Sequence, residues 1–230
     1  MLANATLLKE ELRLGEFMKV STKRIIENLT IRFPTLNPLK EDLENSVDAL
    51  IKSFLKGGTL FVCGNGGSCS DSAHITGELV KSFCAPRKIR EVEQFRLLPD
   101  GDLLKEKLQR GLPCIDLTAN IALQTAIAND SSADLIFAQQ LYVYGHPGDV
   151  LLALSTSGNS RNVYMAAQVA NLKKITVIGL QGENKFSKLS KFADHLIAVP
   201  EVETYKVQEL HLPIYHAICL CLENDFFGEG

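Results

Sequence analysis

Four hydroxyl side chains crowd one hexapeptide, Ser155-Thr156-Ser157-Gly158-Asn159-Ser160. Hydroxyls and backbone amides converging on one point suit a phosphate monoester, whose oxygens accept many hydrogen bonds. Helix capping explains one such residue well and four poorly. A second loop of small residues, Gly64-Asn65-Gly66-Gly67-Ser68, opens a predicted helix, where free amides and the dipole attract anions. It lacks the lysine of a P-loop and the spacing of a dinucleotide fingerprint, which argues against a nucleotide cofactor, ATP and NAD included. On the helix after that loop, His74 and Glu78 stand at i, i+4 and project from one face. On the last predicted helix, Gln208 and His216 are eight residues apart, about 80° around the axis, with His211 on a nearby face. A single helical histidine reads as a packed or solvated residue. Two helices that each pair a histidine with an acid or amide point instead to an acid/base or metal site.

Such groups need a rigid frame, and the remaining pattern supplies one. Short runs at Leu60–Cys63, Cys114–Leu117, Val150–Leu154, Ile175–Leu180 and His195–Val199 are apolar on both faces, as strands covered on two sides by helices must be. Helical patterns fall between and after them, at Ser70–Phe83, Ile121–Tyr144, Arg161–Leu172, Lys185–Ser190 and Tyr205–Asp225. The expectation is an α/β fold: a three-layer αβα, doubly wound, five-stranded parallel sheet, with both small-residue loops at carboxyl ends of strands. Ahead of it, a helix from about Leu7 to Leu29 ends before Ile31-Arg32-Phe33-Pro34. Asn37 and Pro38 then read as the N-cap and first-turn proline of a second helix, whose stripe Leu43, Val47, Leu50, Ile51 and Phe54 stops at Gly57-Gly58. Residues 1–56 are therefore expected to form a helical extension used in oligomerisation, and 57–230 the α/β domain that carries the phosphate loop. One segment breaks the rhythm. Residues 84–113 are rich in charge (Arg87, Lys88, Arg90, Glu91, Glu93, Arg96) and hold Pro86, Pro99 and Gly101, too long for an ordinary connection. This insertion reads either as a solvated excursion or as a lid or subunit contact.

Bulk properties bound the function class. The 24 Lys and Arg residues are balanced by 27 Asp and Glu, for a formal charge of −3, so no global basic field favours nucleic acid. Charges in MLANATLLKEEL interrupt what a signal peptide needs, and no apolar run is long enough for a membrane span; the expected compartment is the cytoplasm. Six cysteines show neither a CxxC pair nor zinc-finger spacing and read as reduced, mostly buried thiols, with Cys69 set apart by its place inside the Gly/Ser loop.

The strings CGNGGSCSDSAHITGEL, TAIAND, GDVLLALSTSGNS and VQELHLPIYH together resemble the bacterial phosphoheptose isomerases, sugar-isomerase (SIS) domain enzymes that interconvert sedoheptulose 7-phosphate and a heptose 7-phosphate. The resemblance implies a substrate loop at Asn65, Gly66 and Gly67, adjoining Ser68, and a phosphate loop at Ser155, Thr156, Ser157 and Ser160. It implies a sugar-contacting pair at Asn129 and Asp130. It also implies a quartet, His74, Glu78, Gln208 and His216, that binds zinc in some members, with Gln208 also facing substrate. Glu78 and His216 match the acid/base residues, and the site is expected to be shared between subunits of a homotetramer. Aldose–ketose isomerisation needs a base for the proton alpha to the open-chain carbonyl and an acid to return a proton at the neighbouring position. Glu78 takes the first role and His216 the second, through an enediol.

Three departures from the family pattern stand out. The insertion falls where the family has a short loop; Pro213 lies inside the last helix, where it removes a backbone bond; and Tyr205 replaces an acidic residue. Two alternatives accompany the main reading. One is a non-catalytic SIS protein that binds the replication initiator; relatives of that kind lack the glutamate present here as Glu78. The other is an isomerase of a different sugar phosphate, which the insertion favours.

Overall fold

A computed structural model of the chain describes residues 18–90 and 92–228. Two helices lead in, α1 (Val20–Arg32) and α2 (Lys40–Leu55), joined by a 3-10 segment, Pro34–Leu39. Strand β1 (Leu60–Cys63) follows, then α3 (Gly67–Val80), α4 (Val92–Phe95) and α5 (Gly101–Lys107). After β2 (Cys114–Asp116) come α6 (Ile121–Ile127), α7 (Ile136–Tyr144) and β3 (Val150–Ser155). The chain closes with α8 (Arg161–Leu172), β4 (Thr176–Gln181), β5 (His195–Ala198) and α9 (Thr204–Phe227). The strands form one parallel sheet in the order β2-β1-β3-β4-β5. The order reverses between β1 and β3, and a crevice opens at such a point above the strand ends.

Alternation along the strands divides the core. Leu60, Val62, Val150, Leu152 and Leu154 face α1, α2, α3 and α9, while Phe61, Cys63, Leu151, Ala153 and Val177 face α7 and α8. Both layers are dry, which is why the strand runs show no polar alternation. The three-layer, five-stranded parallel fold expected from the apolar runs is thus the observed one. Among the described residues, no helix is long and apolar enough to cross a membrane.

Several local expectations need correction. Helix α1 continues through Ile31 and Arg32 before Phe33 and Pro34 end it, and the start of the expected Leu7–Leu29 helix lies outside the described residues. Asn37 does not cap α2: Pro34 to Leu39 coil as a 3-10 helix that holds Pro38, and α2 begins at Lys40. The Ile121–Tyr144 helix is interrupted by a wide turn at Ala128–Ser132 and a 3-10 turn at Ala133–Leu135, where the Ser132 side chain accepts from the Asp134 amide. Lys185–Ser190 forms turns, not a helix. There Asn184 and Ser187 side chains take the amides of Phe186 and Ser190, and Ser187 also donates to Gln181 Oε1, bonds that compete with a helical ladder. Helix α9 runs unbroken across Pro213.

The insertion is rooted by a buried ion pair. Arg87 donates from Nε to Glu223 Oε1 at 2.9 Å, from Nη1 to the Leu79 carbonyl at 2.8 Å and from Nη2 to the Glu78 carbonyl at 3.0 Å. Glu223, on α9, also accepts from the amides of Phe83, Cys84 and Ala85. Burial alone would raise its carboxyl, but those amides and the guanidinium outweigh burial and hold it below the ordinary glutamate value. Beyond this root lie the short helices α4 and α5, closed by a bridge between Lys88 and Gln109.

Glu223→Gln leaves Arg87 buried without its counter-charge and should cost about 3–5 kcal/mol, read as a lowered denaturant midpoint. Because the folded carboxyl sits below its unfolded value, the wild-type contribution is complete above the unfolded pKa and fades as pH falls through the folded one. The variant should lack that part of the acid limb. Equal midpoints and equal acid limbs in the two proteins would deny the pair this role.

Candidate functional site

The crevice over β1 and β3 holds a cavity of about 300 Å³. Asn65, Gly66, Gly67 and Ser68 line it from the first loop, Ser155, Thr156 and Ser160 from the second, and Thr204 and Gln208 from the start of α9. Gly66 has φ +56°, the left-handed region, as the chain turns from β1 into α3. Gly67 is bare because the Gln208 carboxamide occupies the space that a Cβ would need. Ser155 donates to Ser160 Oγ at 3.1 Å, and reciprocal bonds of 2.8 and 2.9 Å between Asn65 and Asn162 tie the two loops together. Both α3 and α8 begin at the cavity, and neither has a side-chain cap on its first amides. Two helix starts without side-chain caps and the hydroxyls of Ser155, Thr156 and Ser160 are the kind of groups that hydrogen-bond an anion such as a phosphate. Ser157 stands beside the cavity, exposed, with its Oγ accepting from the Asn159 amide.

Further along α3 and α9 lies a second cluster. His74 Nε2 is 3.2 Å from Glu78 Oε1, and Lys81 Nζ is 3.8 Å from the other Glu78 oxygen. The Glu78 side chain is 15% exposed and that of His74 42%, so the pair borders solvent. The His216 ring sits edge-on to His74 with centroids 5.0 Å apart, and its Nε2 is buried without a hydrogen bond. Burial, and after it His74, push His216 below the ordinary histidine value against the pull of Glu78, so it is a neutral imidazole near neutral pH. Behind His74, Nδ1 is 3.1 Å from the Tyr215 hydroxyl, which donates to Asp71 Oδ1 at 3.2 Å. Burial and the Asp71 carboxylate push Tyr215 above the ordinary tyrosine value, so it keeps its proton. His211 is fully buried; burial pushes it down to about 4 against the Gln181 backbone, which marks a neutral core residue.

Residues expected to act together are thus divided between two places. Gln208 belongs to the cavity, whereas His74, Glu78 and His216 form the second cluster; Gln208 and His216 are separated by about 12 Å of helical rise. Among the described residues, no three His, Cys, Asp or Glu side chains are arranged to hold a metal ion. The quartet therefore does not fit a zinc ion within one chain. Asn129 and Asp130 sit on the wide turn after α6, exposed and bonded to each other at 2.8 Å. Sequence reasoning passed over Asn162, Thr204, Asp71 and Tyr215. Asn162, two residues past the hydroxyl loop, was open to a spacing argument; the others depend on how α9 packs. His216 also borders a largely apolar groove of about 590 Å³ between α1 and α9, with Ile25, Phe33 and Leu220 inside and Ile31 and Leu212 exposed on its rim.

Comparison with known proteins identifies the family. Residues 108–182 match the SIS domain family. The phosphoheptose isomerase of Clostridium acetobutylicum is 35% identical over 189 residues, 82% of this chain and 85% of the relative. The solved phosphoheptose isomerase of Neisseria gonorrhoeae superposes with a TM-score of 0.66 at 26% identity, over 94% of this chain and 99% of its own. That of Francisella tularensis reaches 0.70 at 28% identity, over 84% and 91%.

The tightest constraint on the cradle is at Gly158, φ +66°, where a Cβ would run into the side chains of Gln181 and Ser187. Gly158→Ala should cost about 1–3 kcal/mol from the backbone alone and push the hydroxyl loop out of register. Urea denaturation should report the loss and phosphate titration by NMR the weakened cradle. A variant as stable as wild type, with unchanged phosphate shifts, would contradict this account of the loop.

Proposed function

The chain belongs to the phosphoheptose isomerase family, and from that premise we propose that it interconverts sedoheptulose 7-phosphate and an aldoheptose 7-phosphate in the cytoplasm. The observation that carries this reading is a cavity of about 300 Å³, lined by hydroxyls and helix starts, at the start of the same helix, α3, that bears Glu78. Ser155, Thr156 and Ser160 with the first amides of α8 take the phosphate, with Ser157 beside them on the same loop. Asn65, Gly66, Gly67, Ser68 and Gln208 border the sugar, and Asn129 with Asp130 receives its hydroxyls. Glu78 removes the proton alpha to the carbonyl; the C–H electrons pass into the enediolate. His216, a neutral imidazole that can give and take a proton, moves one between the two substrate oxygens and assists ring opening. The proton is then returned to the neighbouring carbon.

Sharing of the site between subunits of a homotetramer is part of the same proposal. Two features support it: the separation of Gln208 from His216 along α9, and the apolar groove beside His216 whose rim leaves Ile31 and Leu212 exposed. A zinc centre on His74, Glu78, Gln208 and His216 would need such a second copy, and no step above depends on it. The insertion supports a second reading in one respect. Its root holds the Glu78 carbonyl through Arg87, so it is placed to reshape the sugar end of the site and admit a sugar other than a heptose.

Glu78→Gln keeps the shape of the side chain and removes the base. Exchange of the substrate's alpha proton with solvent deuterium should fall by at least about a hundredfold, while sugar phosphate binding persists. Equal exchange in the two proteins would exclude Glu78; no exchange in either, across C5 to C7 sugar phosphates, would favour the initiator-binding alternative. Sedimentation should give a tetramer that Ile31→Asp dissociates. A full-length chain that is monomeric at micromolar concentration would remove the shared site.

A further inference from the structure

The carbonyls of the hydroxyl loop are spoken for. Ser155 gives its carbonyl to the Gly158 amide at 2.9 Å, Thr156 to the Gly182 amide at 3.0 Å, and Gly158 to the Leu189 amide at 2.9 Å. The Ser157 carbonyl accepts from the Asn159 side chain at 3.0 Å, and that side chain in turn accepts from the Lys188 amide at 3.0 Å. Gly182, Lys188 and Leu189 stand outside the cavity lining. The segment from 182 to 190 therefore draws loop carbonyls to its own side, and the cavity side is left to the hydroxyls of Ser155, Thr156 and Ser160 and the start of α8. That sorting matters for an anion. A carbonyl oxygen turned into the cavity would repel a phosphate, whereas amides and hydroxyls donate to it.

One buried carboxamide fixes the segment that does the sorting. Gln181, the last residue of β4, is fully buried, as is Ser187. Gln181 Nε2 donates to the Asn184 carbonyl at 2.6 Å, and its Oε1 accepts from Ser187 Oγ at 2.8 Å. Ser187 Oγ also accepts from the Ser190 amide at 3.1 Å, which closes the turn around Lys188 and Leu189. The same Oε1 stands 2.3 Å from where a Gly158 Cβ would lie, so the carboxamide packs directly against the phosphate loop. We infer that Gln181 is a positioning residue for the phosphate subsite: it holds the turns at 184–190 in the one arrangement whose amides keep the loop carbonyls out of the cavity. The inference rests on the reading of the hydroxyl loop as the phosphate subsite and extends it to a side chain outside the cavity. Gln181 acts through Ser187, Asn184 and the loop backbone. A buried network of this kind is rigid because leaving it half satisfied is costly.

The test uses two variants of the full chain. Gln181→Met keeps the length of the side chain and removes both of its hydrogen bonds; Ser187→Ala removes one, is the milder change, and carries the test if Gln181→Met does not fold. Each is titrated with inorganic phosphate, followed by ³¹P NMR line width, and assayed with sedoheptulose 7-phosphate. The phosphate dissociation constant and KM should both rise, about ten- to a hundredfold in Gln181→Met and about three- to tenfold in Ser187→Ala. The kcat at saturating substrate should stay near the wild-type value, because a weakened phosphate grip is lost equally from ground and transition states. A purely structural role would instead deplete folded enzyme, lowering kcat and leaving KM where it was. Unchanged phosphate affinity and KM in folded Ser187→Ala would overturn the inference, as would a loss confined to kcat. Failure of the underlying reading is distinguishable: wild-type protein that does not bind inorganic phosphate would overturn the phosphate subsite itself, and this inference with it.

Discussion

The buried guanidinium of Arg87 has five N–H groups and, being out of water, must find acceptors for them in the protein. It finds them where the chain has acceptors to spare, at the carboxyl end of α3, whose last carbonyls lack partners within the helix. Glu78 and Leu79 give their carbonyls, and Glu223 gives the counter-charge. The remaining capacity of that carboxylate is filled by the three amides of residues 83 to 85, so neither member of the pair is left with a buried unmet charge. The phenyl ring of Phe227 lies 4.5 Å from the guanidinium carbon and closes one side. The consequence is geometric. The helix that carries His74 and Glu78 is fixed, at the Glu78 and Leu79 carbonyls, to the helix that carries Tyr215 and His216, about two turns past His216, and the insertion must start from that point.

The other end of α3 is set by the sheet. Strand order reverses between β1 and β3, so their loops part and leave a crevice, and the chain fills its walls with groups small enough to let backbone amides show. Gly67 yields to Gln208 and Gly158 to Gln181 and Ser187, so each glycine marks a place where another residue comes in over the backbone. The amide pair Asn65–Asn162 then holds the two loops at a fixed separation. Helix α3 therefore has its start placed by the sheet and its end by Arg87, and the residues between have little freedom.

This division accounts for what could be read from the residues alone. Strands β1 and β3 are legible because both their faces are dry, and the loops after them are legible because glycine and hydroxyl residues cluster there for chemical reasons. Lys185–Ser190 has a helix-like pattern but forms turns, because the Gln181 side chain, from a different element, accepts from Ser187 Oγ and donates to the Asn184 carbonyl. Arg87 gives no sign in the sequence that it is buried: it sits in a charged run beside Lys88 and Arg90, and only the approach of Glu223, distant in the chain, takes it out of water. The Gln208–His216 pairing looked like one donor set because both lie on one helix, but helical rise places them at different ends of the site.

Adjacent positions on α9 differ by about 100° around the axis, so Tyr215 and His216 cannot both face the groove or both face the core. His216 takes the groove side and Tyr215 the core side. An ordinary core residue in the place of Tyr215 would fill the volume and leave His74 Nδ1 to solvent or to nothing. A tyrosine fills the same volume and carries one polar atom out of the core at the height of the His74 ring, where Asp71 waits one turn earlier on α3. Packing and a polar contact to His74 are thereby served by one side chain. The requirement that a buried hydroxyl be satisfied is what ties the position of the core to the His74–Glu78 pair.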